Sequence, residues 1–217
     1  MKKIMFNDKY GLTKAVLEGR KTMTRRVFKG LSTNYDRSIY GSLSEGFNMM
    51  CSGHVIFRRN EYLYRSTYKV GEVVAVSQAY RDIPQFNPET YEDVMLDHGT
   101  ICEASHPYSH LMRSGGWDNK MFVKADLMPH RIRITNIKVE RLQDISEEDC
   151  LREGVLKKSD FPHKKSLPFY FDGGKHSWDN SFSTPRQAFA ALIDKVSGKG
   201  VWKSNPLVFV YEFELVK

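Results

Sequence analysis

A chain of 217 residues, 41% hydrophobic and 27% charged, can bury a core without disulfide or metal staples and has the make-up of an ordinary soluble globular protein. Its 33 Lys and Arg outnumber 26 Asp and Glu, and the net charge of +7 favours an anionic partner, a nucleotide or RNA strand, over a cationic one. No apolar run approaches the ~18 residues of a membrane span, residues 1–7 offer no apolar stretch for secretion, and Cys51, Cys102 and Cys150 stand far apart; a membrane partner, a disulfide framework and a cysteine zinc site are argued against, and a cytoplasmic location is expected.

A short strand is predicted at 3–6. Behind the candidate cap Asn7-Asp8, the residues Leu12, Ala15, Val16 and Leu17 recur at helical spacing, with Gly19 as a left-handed terminator. The chain then runs through Gly19-Arg20-Lys21-Thr22-Met23-Thr24-Arg25-Arg26 into a strand over 22–27. This segment packs an amine, two hydroxyls and several guanidinium groups together. Lys21 offers three donors or, once desolvated, a base; Thr24 offers a hydroxyl; Arg25 and Arg26 offer forks for carboxylate or phosphate oxygens. A solvated basic strand is the alternative reading. Residues 21 and 24 of a regular strand point to opposite faces, so a site shared by Lys21 and Thr24 demands a turn or bulge right after Gly19.

A polar stretch at 30–52 precedes a hairpin-like pair at 54–57 and 62–65, and Gly71-Glu72 leads into an apolar, central strand at 73–76. Residues 81–130 lack periodicity, are broken by Pro84, Pro88, Pro107, Gly115 and Gly116, and read as a long insertion rather than as core. Within it Glu103, His106 and His110 do not make a metal site, because Pro107 interrupts the helix that would align them. From 131 to 142 the apolar positions change parity between Ile134 and Ile137, which implies a bulge or turn near Thr135-Asn136. Ser146-Glu147-Glu148-Asp149 then forms a capping-box pattern for a helix over 147–153 that stops at Gly154, with Ile145 stapled against Cys150. Glu153 falls in its last turn, facing the negative end of the helix dipole, where a nearby cation is required.

Phe169-Tyr170-Phe171 and Trp178 interleave with basic residues, as Lys157, Lys158, Lys164 and Lys165 do nearby, a pattern open to base stacking or to core packing. Thr184-Pro185-Arg186-Gln187 supplies a cap, a first-turn proline and a reciprocal capping residue for a helix carrying Phe189, Leu192, Ile193 and Val196. After Asn205-Pro206 comes a strong strand at 207–216. Many strands with three short helices suggest an α+β fold, a small mixed β-barrel with helices at its rim.

These blocks together resemble the ASCH domain family, which has the PUA-like barrel fold associated with RNA-modifying and RNA-binding proteins. The resemblance is carried by the helix followed by Gly19-Arg20-Lys21-Thr22-Met23-Thr24-Arg25-Arg26, by Tyr68-Lys69-Val70-Gly71-Glu72-Val73, by Val139 to Ile145 leading into 147–154, and by the ending Asn205-Pro206 through Glu212-Phe213. It implies one domain over 1–217, with loop insertions at 30–68, 81–130 and 155–183. A minimal bacterial member of the family is an amidohydrolase that removes the acetyl group of N(4)-acetylcytidine with a lysine, a threonine and a glutamate. The resemblance lays these on Lys21, Thr24 and Glu153, with Arg20, Thr22, Arg25 and Arg26 around the substrate and no metal or cofactor. Amide hydrolysis needs a nucleophile, a proton carrier and positive charge where the oxyanion develops, and the trio supplies these types. Glu153 is expected as proton shuttle, Lys21 as base or oxyanion stabiliser, Thr24 as nucleophile or water-holder. Longer, phage-associated members carry an Arg-Glu pair after the second core strand, where this chain reads Val76-Ser77-Gln78-Ala79. Gln78 cannot exchange a proton, so a non-catalytic module holding RNA or a nucleotide in the same basic cleft is the alternative.

Overall fold

The structure, a computed structural model, describes residues 1–28, 48–59, 62–86, 109–157, 168–173 and 180–216. Cys102, Glu103, His106, Lys158, Lys164, Lys165 and Trp178 lie outside the described residues. In chain order the first elements are β1 (Lys3–Ile4), α1 (Leu12–Leu17), β2 (Met23–Val27), β3 (Asn48–Cys51), β4 (His54–Arg59), β5 (Tyr62–Arg65), β6 (Val73–Val76) and α2 (Ser109–Met112). They are followed by β7 (Arg131–Arg141), α3 (Glu147–Arg152), β8 (Leu156–Lys157), β9 (Phe169–Tyr170), β10 (Ser181–Phe182), α4 (Pro185–Ser197), α5 (Val201–Ser204) and β11 (Leu207–Val216). Helices and sheets are both present, as an α+β fold requires, and among the described residues the sheets are open and no barrel closes. None of the described helices is long and apolar enough to cross a membrane.

The chain divides into two compact units, one of residues 1–6 and 74–131, the other of 7–73 and 132–216. In the first, β1 pairs parallel with β6, and Val74, Ala75 and Val76 are fully buried without alternation, as expected of a strand covered on both faces. The stretch that follows is not the coreless insertion its sequence suggests. Tyr80, Ile83, Phe86, Val123 and Met128 pack with Ala75 into a core of their own. Their spacing hides this, because 3-10 turns at Tyr80–Asp82, Pro84–Phe86, Lys120–Phe122 and Ala125–Leu127 set no helical or strand period. Gly116 is required there: a Cβ on it would fall 2.6 Å from the Tyr80 ring.

In the second unit β7, β11 and β2 lie side by side in that order, and β2 runs antiparallel to β11 in a regular register from Met23↔Glu212 to Val27↔Val208. One face of this sheet turns Met23, Val208 and Val210 into a core with Ile145, Cys150, Ala188, Phe189 and Ile193 from the α3 and α4 region. Each large apolar side chain so buried contributes about 1.5–3 kcal/mol. The helix signals take effect locally: Ser146 Oγ accepts the Asp149 N–H at 3.1 Å, and Thr184 Oγ1 accepts the Gln187 N–H at 3.2 Å with Pro185 in the first turn. β7 continues through Thr135-Asn136 as one strand, but its buried positions change parity there, with Ile132, Ile134 and Ile137 inside and both intervening residues exposed. Asn136 Oδ1 takes the Ile137 N–H at 2.8 Å at the point of the shift. Two further sheets, β3–β4–β5 and β10–β9–β8, complete this unit. The aromatic triplet at 169–171 is used for packing: Phe169 joins the main core, while Tyr170 and Phe171 are buried, Phe171 against Tyr10 and Phe182.

Candidate active site

The site is assembled within the second unit from the end of α1, strands β2 and β7, and α3. Gly19 adopts φ +73° and turns the chain out of α1, and the Lys21 N–H bonds back to the Ala15 carbonyl at 2.9 Å. Lys21 therefore lies ahead of β2, which begins at Met23. Thr22 N–H is tied to the Arg152 carbonyl at 3.1 Å, bringing this turn against the last turn of α3. Gly154, at φ +108°, lets the chain leave α3 close to α1; a Cβ there would meet Leu12 at 3.0 Å and Lys21 at 3.8 Å.

Lys21 is 2% exposed, and its ammonium donates to Glu153 Oε2 and to the Glu153 carbonyl oxygen, each at 2.7 Å. One cation thus answers both the carboxylate placed at the wrong end of the helix dipole and the carbonyl that α3 leaves unsatisfied. Burial holds the Lys21 ammonium below its ordinary value; Glu153 pulls the other way, and Arg26 and Arg25 add to the lowering.

Arg25 is the hub of the surrounding charges. Its side chain is 0% exposed, with Nε and Nη2 on Glu140 Oε1 at 2.9 and 2.6 Å, Nη2 on Asp149 Oδ2 at 3.1 Å, and Nη1 on Glu153 Oε1 at 3.1 Å. Desolvation opposes its charge, but Glu153, Glu140 and Asp149 together raise it above its ordinary value. Arg25, expected around the substrate, thus has its fork engaged by three carboxylates and its side chain fully covered. Lys138 lies 3.1 Å from Glu140 and 3.8 Å from Asp149; Arg152 bridges Asp149 at 3.4 Å and Glu212 at 2.9 Å. Cys150 is buried beside this network, and burial pushes its thiol up to about 12, so it carries no nucleophile at neutral pH.

The remaining expected residues divide between the two faces of β2 and its approach. Thr22 Oγ1 accepts from Arg152 Nε at 3.2 Å, and half-exposed Arg20 pairs with Glu18 at 2.5 Å, an outward-facing contact. Thr24 and Arg26 alternate with Met23 and Arg25 along the regular strand, so they project from the other face. Thr24 stands opposite Tyr211, and Arg26 opposite Phe209. Tyr211 packs edge-on against Tyr68, with ring centroids 5.3 Å apart, and its phenolic oxygen accepts the Thr67 N–H at 2.9 Å. Burial raises Tyr68 to about 12, with Arg26 opposing that rise. The turn after Gly19 is present and brings Lys21 to Glu153, while Thr24 is buried on the other face of β2.

Glu140 and Asp149 were not singled out by the sequence. Asp149 had left a sign, since it and Glu153 are like charges four residues apart on one helix, an unfavourable pair unless a cation sits between them. Glu140 left none, because its partner is 115 residues away. Among the described residues no group of three or more His, Cys, Asp or Glu could hold a metal ion. Comparison with known proteins gives no match to this chain among family models, curated proteins or solved structures.

Proposed function

We propose that this chain is an ASCH-type, PUA-like protein acting as an amidohydrolase on an N-acylated cytidine-like nucleoside, converting N(4)-acetylcytidine to cytidine and acetate. The observation that carries this reading is the buried Lys21–Glu153 pair at 2.7 Å, placed one turn ahead of a strand that carries a buried threonine hydroxyl. An amine whose charge is disfavoured by burial is suited to take a proton, and a carboxylate fixed against it stabilises the ammonium that results. Glu153, gripped by two cations, is thereby the group that orients Lys21 rather than the shuttle itself. In the reaction the Thr24 hydroxyl, or a water it holds, adds to the acyl carbonyl, and because Thr24 projects from the other face of β2 its proton reaches Lys21 through an intervening water or the substrate rather than directly. Breakage of the carbon–nitrogen bond then returns that proton to the leaving amine. With Thr24 as nucleophile, a water releases the acetyl ester as acetate; with water as nucleophile, acetate leaves directly.

Purified protein is expected to release cytidine and acetate from N(4)-acetylcytidine, and Lys21→Ala is expected to lower the rate by about 10²–10⁴-fold. Chromatography of the two products checks this, and undiminished release by both Lys21→Ala and Glu153→Gln rejects the assignment. Arg26, half-exposed beside the buried Tyr68–Tyr211 pair, together with the net positive charge, supports a second reading, a nucleotide- or RNA-holding module without turnover. In that case binding of a short RNA weakens steeply as salt rises while no acetate appears.

A further inference from the structure

The Arg25 side chain has no exposed surface, yet it touches a carboxylate oxygen of the proposed proton-handling pair. Its Nη1 holds Glu153 Oε1 at 3.1 Å, while Glu153 Oε2 faces the Lys21 ammonium at 2.7 Å. The other fork atoms are anchored on two different elements, Glu140 of β7 and Asp149 of α3. A guanidinium is planar and rigid, so two fixed edges determine where the third points. Both anchors are themselves backed by further cations, Lys138 on each of them and Arg152 on Asp149.

We infer that Arg25 is a positioning residue, which fixes the Glu153 carboxylate so that one oxygen is committed to Lys21, through an anchor built from Glu140 and Asp149. This rests on the reading of Lys21 and Glu153 as the proton-handling pair, and it deepens that reading by assigning the residue that aims it. Without Arg25 the Glu153 side chain stays beside Lys21 but loses the contact on its second oxygen, which leaves the orientation of its carboxylate unfixed. The charged groups that face Lys21 are Glu153 from α3 and Arg25 and Arg26 from β2; α1 meets this region with the apolar Leu12. Removing Arg25 deletes one of the two cations that oppose the Lys21 charge and leaves Glu153 to act on it undivided. A lysine at position 25 keeps the charge but, as a point donor, cannot span three carboxylates.

The test compares Arg25→Met, Arg25→Lys and Glu140→Gln with the parent protein, using two readouts. The first is the titration of the Lys21 side chain followed by NMR on protein labelled in its lysine side chains, with Lys21→Arg identifying the signal. Arg25→Met is expected to raise the Lys21 titration by about one pH unit or more, and Arg25→Lys to leave it close to the parent value. The second is kcat and KM for N(4)-acetylcytidine across pH. Arg25→Met and Arg25→Lys are both expected to lower kcat by about tenfold or more with KM nearly unchanged, and the acid limb of the profile is expected to move upward in Arg25→Met. A KM increase at constant kcat would instead make Arg25 a substrate contact and overturn the inference. If the parent protein releases no acetate, the amidohydrolase reading fails by itself, and the NMR titration still decides whether Arg25 acts on Lys21; an unmoved titration in folded Arg25→Met overturns it. Should Arg25→Met not fold, Glu140→Gln, which removes only one anchor charge, is expected to lower kcat partially, and parent-like kcat in that variant counts against the anchor.

Discussion

Three acids, Glu140, Asp149 and Glu153, meet the buried Arg25, Glu153 also meets the buried Lys21, and the consequences of removing any one of these groups are unequal. Glu153 answers two buried cations, Lys21 and Arg25, so Glu153→Leu leaves both without a shared counter-charge. Breaking a buried pair in this way costs about 3–5 kcal/mol. Lys21 is different. Its folded-state pKa lies below the ordinary value near 10.5, so folding disfavours its charge; the stability tied to it is present above that value and lost as pH falls through the folded pKa. Lys21→Met removes the disfavoured charge and leaves Glu153 with Arg25. We therefore expect urea unfolding at neutral pH to show a large loss for Glu153→Leu and a much smaller one for Lys21→Met. Equal losses would mean that Lys21 stabilises the fold as much as its partner does.

At the scale of elements, α3 and α4 start by the same device and end by different ones. Each opens with a hydroxyl accepting the N–H three residues on, from Ser146 in α3 and from Thr184 in α4. Such caps are worth about 1 kcal/mol, and Thr184→Ala is expected to lower stability by that amount in equilibrium unfolding. α3 spans only Glu147–Arg152, and its C-terminus is closed by the Lys21 ammonium on the Glu153 carbonyl. A short helix with a buried carboxylate at its end is thus held by the cation that pairs with that carboxylate. β2 divides the chemistry by its alternation, charge network on one face and Thr24, Arg26 and the tyrosines on the other. The same alternation places Arg25 inside although its neighbour Arg26 is half-exposed.

For the molecule as a whole, the surplus of positive charge bears on partners and the buried carboxylates bear on pH. Arg152 holds Glu212 below the usual carboxylate range, chiefly through their hydrogen bond, with Asn136 also donating to it. A depressed carboxylate contributes stability that is present above the ordinary value of 4.5 and lost as pH falls through the folded value. Between neutral and strongly acid solution the parent protein is accordingly expected to lose more stability than Glu212→Gln, as read from urea midpoints at the two pH values. Helix caps, glycine turns, the strand at the C-terminal end and the parity change at Thr135-Asn136 were all legible from the chain alone. Each depends on residues within a few positions of one another, and backbone sterics and hydrogen bonding act at that range. The core after β6 was not legible, because 3-10 turns carry no clear period. Nor could local pattern reveal that Lys21 meets Glu153 across 132 residues, an expectation that came only from family resemblance. Which arginine is buried, which acids surround it and which face receives Thr24 were decided by the tertiary structure: a charge is buried only where opposite charges from distant segments converge, and that convergence belongs to packing and not to any one stretch of sequence.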